Sequence, residues 1–311
     1  FTLDGEVYRL PFAYSLIADN GWTISDRGVT GDTLIAAYSY ELIMMSKNGS
    51  SLYIYAANPG GNLMAVKDCL VAGVQVTQYN LSDSSVFSIA KGISTESTAD
   101  EITAAFGLTG KISDYSDRSV ISYDESDFSG ARFNVYSENT KYNEIRLTNY
   151  DDDGSYATET REDAPLYLSA YSAPAELGGD PLSCVMEIGG DLYRLPAPVS
   201  AFTDNGWSIV SKPGYVGAMN TDSIRLERDG VKLSALIENF GEFQTVAENC
   251  AVYRVTIAEA DGLSAALSGG IALGADDSVI SGTGLKFSVY NGSTYNSYNH
   301  RITSFLKIIS Y

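Results

Sequence analysis

The sequence predicts an α+β chain of two tandem repeats, each an antiparallel β-sheet with one or two short helices packed on it. Three observations carry that expectation. The stretch VYRLPFAYSLIADNGWTI, residues 7–24, returns as LYRLPAPVSAFTDNGWSI, residues 192–209. Apolar and polar residues alternate through much of the chain, the period-two pattern of half-buried strands. Pairs that suit tight hairpin turns, Asp4-Gly5, Asn48-Gly49, Gly189-Gly190 and Asp229-Gly230, interrupt that alternation.

The correspondence extends well beyond the repeated stretch. Trp207 follows Trp22 by 207 − 22 = 185 residues, and Tyr193 follows Tyr8 by the same 185. Farther on, Asp229-Gly230 follows Asn48-Gly49, Asn239 follows Asn58 and Cys250 follows Cys69, each by 181. The second copy is therefore four residues shorter in the loop after its Trp, and loops absorb such deletions. The expected organisation is a first repeat domain over 1–160, a linker over 161–183 and a second, trimmed repeat over 184–311. Pro165, Pro174, Pro181 and Gly178-Gly179 break any long element in the linker, and the alternating LYLSAY, 166–171, is expected to add an edge strand.

Taken in order, FTLDGEVYRLPF and VMEIGGDLYRLP read as opening hairpins. Pro11 and Pro196 suit the first turn of the short helices that follow, which Asn20-Gly21 and Asn205-Gly206 close. The stretches LIAAYSYELIMM and SLYIYAAN form a hairpin through Asn48-Gly49, as do SIRLE and VKLSALIEN through Asp229-Gly230. CLVAGVQVTQYN and CAVYRVTIAEAD continue the strand pattern. In KGISTESTADEITAAFG, Ser97 or Thr98 caps a helix with Glu101 at the capping-box position and Gly107 at its end. The second copy has only GGIALGADDSVISGTG there, which is too broken by glycine for a helix. Both copies return to strands in ARFNVYSENTKYNEIRLTNY and LKFSVYNGSTYNSYNHRITSFLKII.

Charge and composition narrow the partners. A net charge of −19 repels phosphate backbones and anionic headgroups, so neither nucleic acid nor a membrane surface is an expected partner. No run of about 20 apolar residues exists that could cross a bilayer as a helix. The Tyr- and Gly-rich composition, 22 and 29 residues, points to an extracellular setting. The chain opens at Phe1 inside a strand pattern, and an upstream segment is expected to anchor it to the cell surface.

No catalytic residue stands out. His300 is the single histidine, which leaves a Ser-His-Asp or Cys-His site without support elsewhere in the chain. Cys69 and Cys250 sit beside acids in strand patterns and read as packed thiols. Three cysteines allow one disulfide at most, and Cys184–Cys250 is the pair that neighbouring strands would permit. Asn149, Asp151 and Asp153, followed by Gly154, form the front half of a calcium loop, but Thr160 stands where the bidentate Glu belongs. A solvated hairpin turn is the plainer reading of this stretch, so no cofactor is expected, with weak calcium binding by these residues as the alternative. Trp22 and Trp207 read as core residues that clamp helix to sheet. Tyr290, Tyr295 and Tyr298, interleaved with Asn291, Asn296 and Asn299, combine stacking faces with amide hydrogen-bonders and form the candidate ligand site.

The order Gly-x-x-Tyr-x-Leu-Pro, Asn-Gly-Trp, a strand ending in Asn58 or Asn239, and then Asp68-Cys69 or Asn249-Cys250 resembles tandem-repeat secreted or lipid-anchored proteins of Gram-positive gut bacteria. Residues 91–107 are similar to the helix of small lipoproteins of the SmpA/OmlA type, whose fold is like that of the β-lactamase inhibitor protein. The resemblance implies small α+β repeats, a surface location and a non-enzymatic role. The expected function is accordingly a secreted or cell-surface binding module for a protein or glycan. A structural envelope protein is the alternative, and a carboxylate-based polysaccharide hydrolase is a more distant one, since 39 Asp and Glu residues offer no single distinguished pair.

Overall fold

A computed structural model of the chain describes residues 1–107, 111–126, 129–137, 143–150, 158–180, 183–258, 262–273 and 304–306. Strands dominate, with four α-helices among the described residues. The chain divides into two compact units, Phe1–Ala157 and Thr158–Tyr311.

In the first unit, β1 (Thr2–Leu3) and β2 (Glu6–Val7) form a hairpin in which Asp4 and Gly5 hold φ of 52° and 87°. Next come β3 (Phe12–Ala13) and α1 (Tyr14–Asp19). The expected place of Pro11 in the first turn of that helix is corrected. The Leu10-Pro11 peptide is cis, and Phe12 and Ala13 pair with the strand at Leu70–Thr77 before the helix begins. Gly21, at φ 85°, closes α1 and delivers Trp22 into the core ahead of β4 (Thr23–Ile24).

After β5 (Leu34–Ile35), β6 (Ser39–Lys47) and β7 (Ser50–Asn58) pair from Ser39↔Asn58 to Lys47↔Ser50. Asn48 and Gly49 both take positive φ, 49° and 82°, as a turn of this hand requires. Then follow β8 (Met64–Ala65), β9 (Leu70–Thr77) and β10 (Phe87–Ser88). Helix α2 (Ala99–Phe106) carries the expected capping box, with Thr98 and Glu101 each satisfying the other's backbone N–H, and it ends at Gly107. A meander of β11 (Lys111–Asp114), β12 (Arg118–Ser126), β13 (Ser129–Tyr136) and β14 (Glu144–Asn149) completes the sheet, in the order β11-β12-β13-β14-β9-β7-β6-β4. Its core gathers Ile17, Trp22, Ile54, Val74, Ile102 and Phe133.

The second unit opens with β15 (Thr160–Arg161) and α3 (Leu166–Ser169). The edge strand expected from LYLSAY is corrected to this one-turn helix. The Leu168 N–H bonds back to the Pro165 carbonyl, 3.1 Å away, so the alternation follows a turn rather than a sheet. The segment from 161 to 183, expected as a linker, is fastened to its own unit. The Thr245 hydroxyl donates to the Arg161 carbonyl at 2.6 Å, and the Asn249 amide to that of Glu162 at 2.7 Å. The Ser268 hydroxyl donates to the Leu177 carbonyl at 2.5 Å, and the Arg161 guanidinium lies 3.5 Å over the Phe243 ring.

There follow β16 (Val185–Ile188), β17 (Asp191–Arg194), β18 (Ala197–Pro198), α4 (Val199–Thr203), β19 (Ser208–Ser211), β20 (Thr221–Arg228) and β21 (Val231–Glu238). Pro196 also heads a cis bond ahead of a short strand, so its expected place in the helix is corrected in the same way. After β22 (Gln244–Thr245) come β23 (Ala251–Ala258), β24 (Ala265–Leu267), β25 (Ile271–Ala272) and β26 (Ser304–Leu306). The main sheet runs β18-β23-β21-β20-β19, with β26 also on β23.

Local bonding shows what the shared residues do. The Tyr8 hydroxyl accepts from the Asn20 amide at 2.7 Å, and the Tyr193 hydroxyl from that of Asn205 at 3.2 Å. Each bond ties an opening hairpin to the end of the helix beside it. Trp22 and Trp207 lie beneath, 1% and 2% exposed, in the two cores. Cys69, Cys184 and Cys250 are all thiols, so the Cys184–Cys250 bond that the sequence would permit is not formed.

Candidate functional site

Each unit has a recess at one end of its main sheet, and the same kinds of residue build both. In the first unit β7 pairs with β9 from Tyr53↔Gln75 to Tyr55↔Gly73, then skips Ala72 and resumes at Ala56↔Val71. In the second, β21 pairs with β23 down to Leu236↔Arg254, skips Tyr253 and resumes at Ile237↔Val252. Such bulges bend a strand and re-aim the side chains next to them. Beyond each bulge the central strand runs into a buried asparagine, Asn58 at the end of β7 and Asn239 just after β21.

Asn58 is 1% exposed, and its amide donates to the carbonyls of Ile35 (3.0 Å), Ala36 (3.0 Å) and Asn62 (2.7 Å), while its oxygen accepts from the Gly60 N–H at 2.9 Å. Asn239, fully buried, donates to Val216 (3.1 Å), Gly217 (3.1 Å) and Phe243 (2.8 Å) and accepts from Gly241 N–H at 2.8 Å. One side chain thus satisfies two loops that would otherwise bury orphaned backbone groups. A Cβ at Gly241 would stand 3.0 Å from the Asn239 oxygen, so the clamp closes against a glycine. At the head of β6 Tyr38 holds φ 49°, and at the head of β20 Met219 holds φ 53°. These positive φ values turn both large side chains outward, 59% and 46% exposed.

The first recess encloses about 230 Å³, floored by Ala57, Leu70 and Ala72 and walled by Pro11, Tyr38, Pro59 and Tyr150. Tyr40, half exposed, lies 5.4 Å from Tyr150 and 5.6 Å from Tyr55 between ring centroids, which extends the aromatic rim along the sheet. Burial raises the Tyr150 phenol, which stays neutral. Asn149, one of the expected calcium ligands, ends β14 here and donates its amide to the Leu10 carbonyl at 2.9 Å. Its expected partners Asp151 and Asp153 lie outside the described residues, as do Tyr290, Tyr295, Asn296, Tyr298 and Asn299.

The second recess is larger, about 700 Å³, with Pro196, Pro198, Met219, Phe240 and Ala251 around it and Tyr167 and Tyr171 from the α3 segment along one side. The Tyr167 hydroxyl accepts from the Phe240 N–H at 3.3 Å and donates to the Asn249 carbonyl at 3.4 Å, and burial pushes its phenol up to about 12. The rings of Tyr167 and Phe240 meet edge to face at 5.9 Å. Tyr171 is held by the Arg194 N–H, 3.3 Å from its hydroxyl. Glu238 supplies the one carboxyl among the described lining residues.

The cysteines near these recesses are poor nucleophiles. Burial, reinforced by Asp68, pushes the Cys69 thiol up to about 12, and burial with Glu248 and Asp222 does the same to Cys250. No family model, curated protein or solved structure matches the chain.

Sequence reasoning saw Asn58 and Asn239 only as matched strand ends. Their matched places in the two similar stretches of sequence were the available signal that they do something the fold needs. Tyr38 and Met219 carried no signal, since neither is a residue expected at positive φ.

Proposed function

We propose that the chain is two tandem copies of one folding unit and serves as a secreted or surface-anchored binding protein that recognises a protein or glycan. The observation that carries this reading is the pair of recesses. The same bulge, buried asparagine and outward-turned residue at positive φ frame an apolar, aromatic-rimmed hollow at the same end of both sheets. The asparagine clamp serves stability, and beside it Tyr38, Tyr40 and Met219 stand exposed. Exposed rings next to concave apolar surface are what glycan and peptide ligands use. The net charge of −19 suits a chain that stays soluble outside the cell and keeps clear of anionic surfaces.

The test is retention of the labelled chain on peptidoglycan, mucin, plant polysaccharides and a peptide array, against a Tyr38→Asn/Met219→Asn variant. Asparagine tolerates positive φ, so this variant removes the side chains without straining the backbone. Retention on one of these materials that the variant loses is the expected result. Equal retention of both chains would remove the recesses from the account.

A further inference from the structure

The two recesses differ at one position that changes their chemistry. Where the first has Ala57 opposite Leu70, the second has Glu238 opposite Ala251, in the same register and one residue before the buried asparagine. Glu238 is half-buried, and its neighbours in the recess are Tyr167, Tyr171, Pro196, Met219 and Phe240. No described Lys, Arg or His forms an ion pair with it. Two other carboxylates of the second unit do find cations, Asp191 with Arg228 and Glu248 with Lys212.

A carboxylate drawn into an apolar hollow loses hydration, and burial raises its pKa accordingly. A counter-charge brought by a ligand restores that lost solvation. Aromatic faces act in the same sense, because the ring quadrupole attracts a cation that sits over it. Tyr167, Tyr171 and Phe240 line the same recess as the Glu238 carboxyl. The acidic chain as a whole concentrates cations near its surface.

We infer that the recess of the second unit binds an organic cation, an ammonium group on an apolar body, with Glu238 as its counter-ion and Tyr167, Tyr171 and Phe240 around it. The first recess, with Ala57 at the matching place, takes an uncharged apolar group. This assignment rests on the reading of the recesses as binding sites and names the ligand chemistry of one of them.

The experiment titrates the full chain, labelled at its methionine methyls, with phenethylammonium and with its uncharged analogue 2-phenylethanol, and follows the Met219 methyl resonance. The same titrations are run on Glu238→Gln. Phenethylammonium is expected to bind wild type roughly tenfold or more tightly than the alcohol, the scale of a charge-assisted contact, and that preference is expected to vanish in Glu238→Gln. Equal binding of the two probes to wild type overturns the assignment of charge but leaves the recess as a binding site. A preference for the cation that survives in Glu238→Gln overturns the role of Glu238. No shift of Met219 with either probe overturns the assignment and the binding reading of this recess together.

Discussion

Replacing Asn58 by alanine removes the clamp on which the first recess is built. Four hydrogen bonds disappear, to the carbonyls of Ile35, Ala36 and Asn62 and from the Gly60 N–H, all between 2.7 and 3.0 Å. The amide has two hydrogens for three carbonyls, so one is shared and the set is worth about three full bonds, about 3 kcal/mol at about 1 kcal/mol net per bond. Asn58 lines the recess, so water that enters through it recovers part of this, and about 2 kcal/mol remains. Asn58→Asp differs in a telling way. The introduced carboxylate turns an oxygen toward three carbonyl oxygens, so its folded-state pKa rises above the unfolded value. Stability of that variant is therefore greatest at low pH, where the protonated carboxyl can still donate one bond, and it falls as pH rises through the raised pKa. The assay is urea unfolding followed by Trp22 fluorescence in a Trp207→Phe background, so that the signal comes from the first unit. A loss below about 0.5 kcal/mol in Asn58→Ala, the range of an ordinary surface change, would refute the clamp.

Further outcomes follow from the same geometry. Trp22→Ala and Trp207→Ala should each cost about 3 to 5 kcal/mol, because each removes a fully buried aromatic that clamps helix to sheet, and thermal melts of the two variants check this. Cys69 and Cys250, with thiols near 12, should stay unmodified by a thiol reagent at pH 8 until urea exposes them, as mass spectrometry of the labelled peptides will show. Glu238 has a pKa raised by burial, so it favours the folded state below its unfolded pKa and loses that contribution as pH rises through the folded value. Glu238→Gln should therefore unfold at higher urea than wild type at pH 7, with the gap closing toward pH 4.

Much of the fold was legible because turn chemistry is local. Asn48-Gly49 and Asp229-Gly230 demand positive φ at two successive residues, and they closed hairpins where expected. Thr98, Glu101 and Gly107 marked both ends of α2 for the same reason. The stretch LYLSAY misled because strand alternation and one helical turn cannot be separated over six residues, and Tyr167 and Tyr171 are held by partners distant in sequence, at 240, 249 and 194. The recesses were illegible for a related reason. Pro11, Tyr38, Ala57, Leu70 and Tyr150 form no motif, and they meet only because β3, β7, β9 and β14 converge at one end of the sheet. Glu238 looked like one of 39 acids until its neighbours were known.

Hydrogen–deuterium exchange of the full chain, with and without a soluble fragment of whichever material retains it, tests the central claim most directly. Slowed exchange at residues 57–60 and 70–72 in the first unit, or 238–241 and 251–253 in the second, is the predicted result. Protection confined to the tyrosine-rich stretch 290–299, with both recesses unchanged, would contradict the account and place recognition there instead.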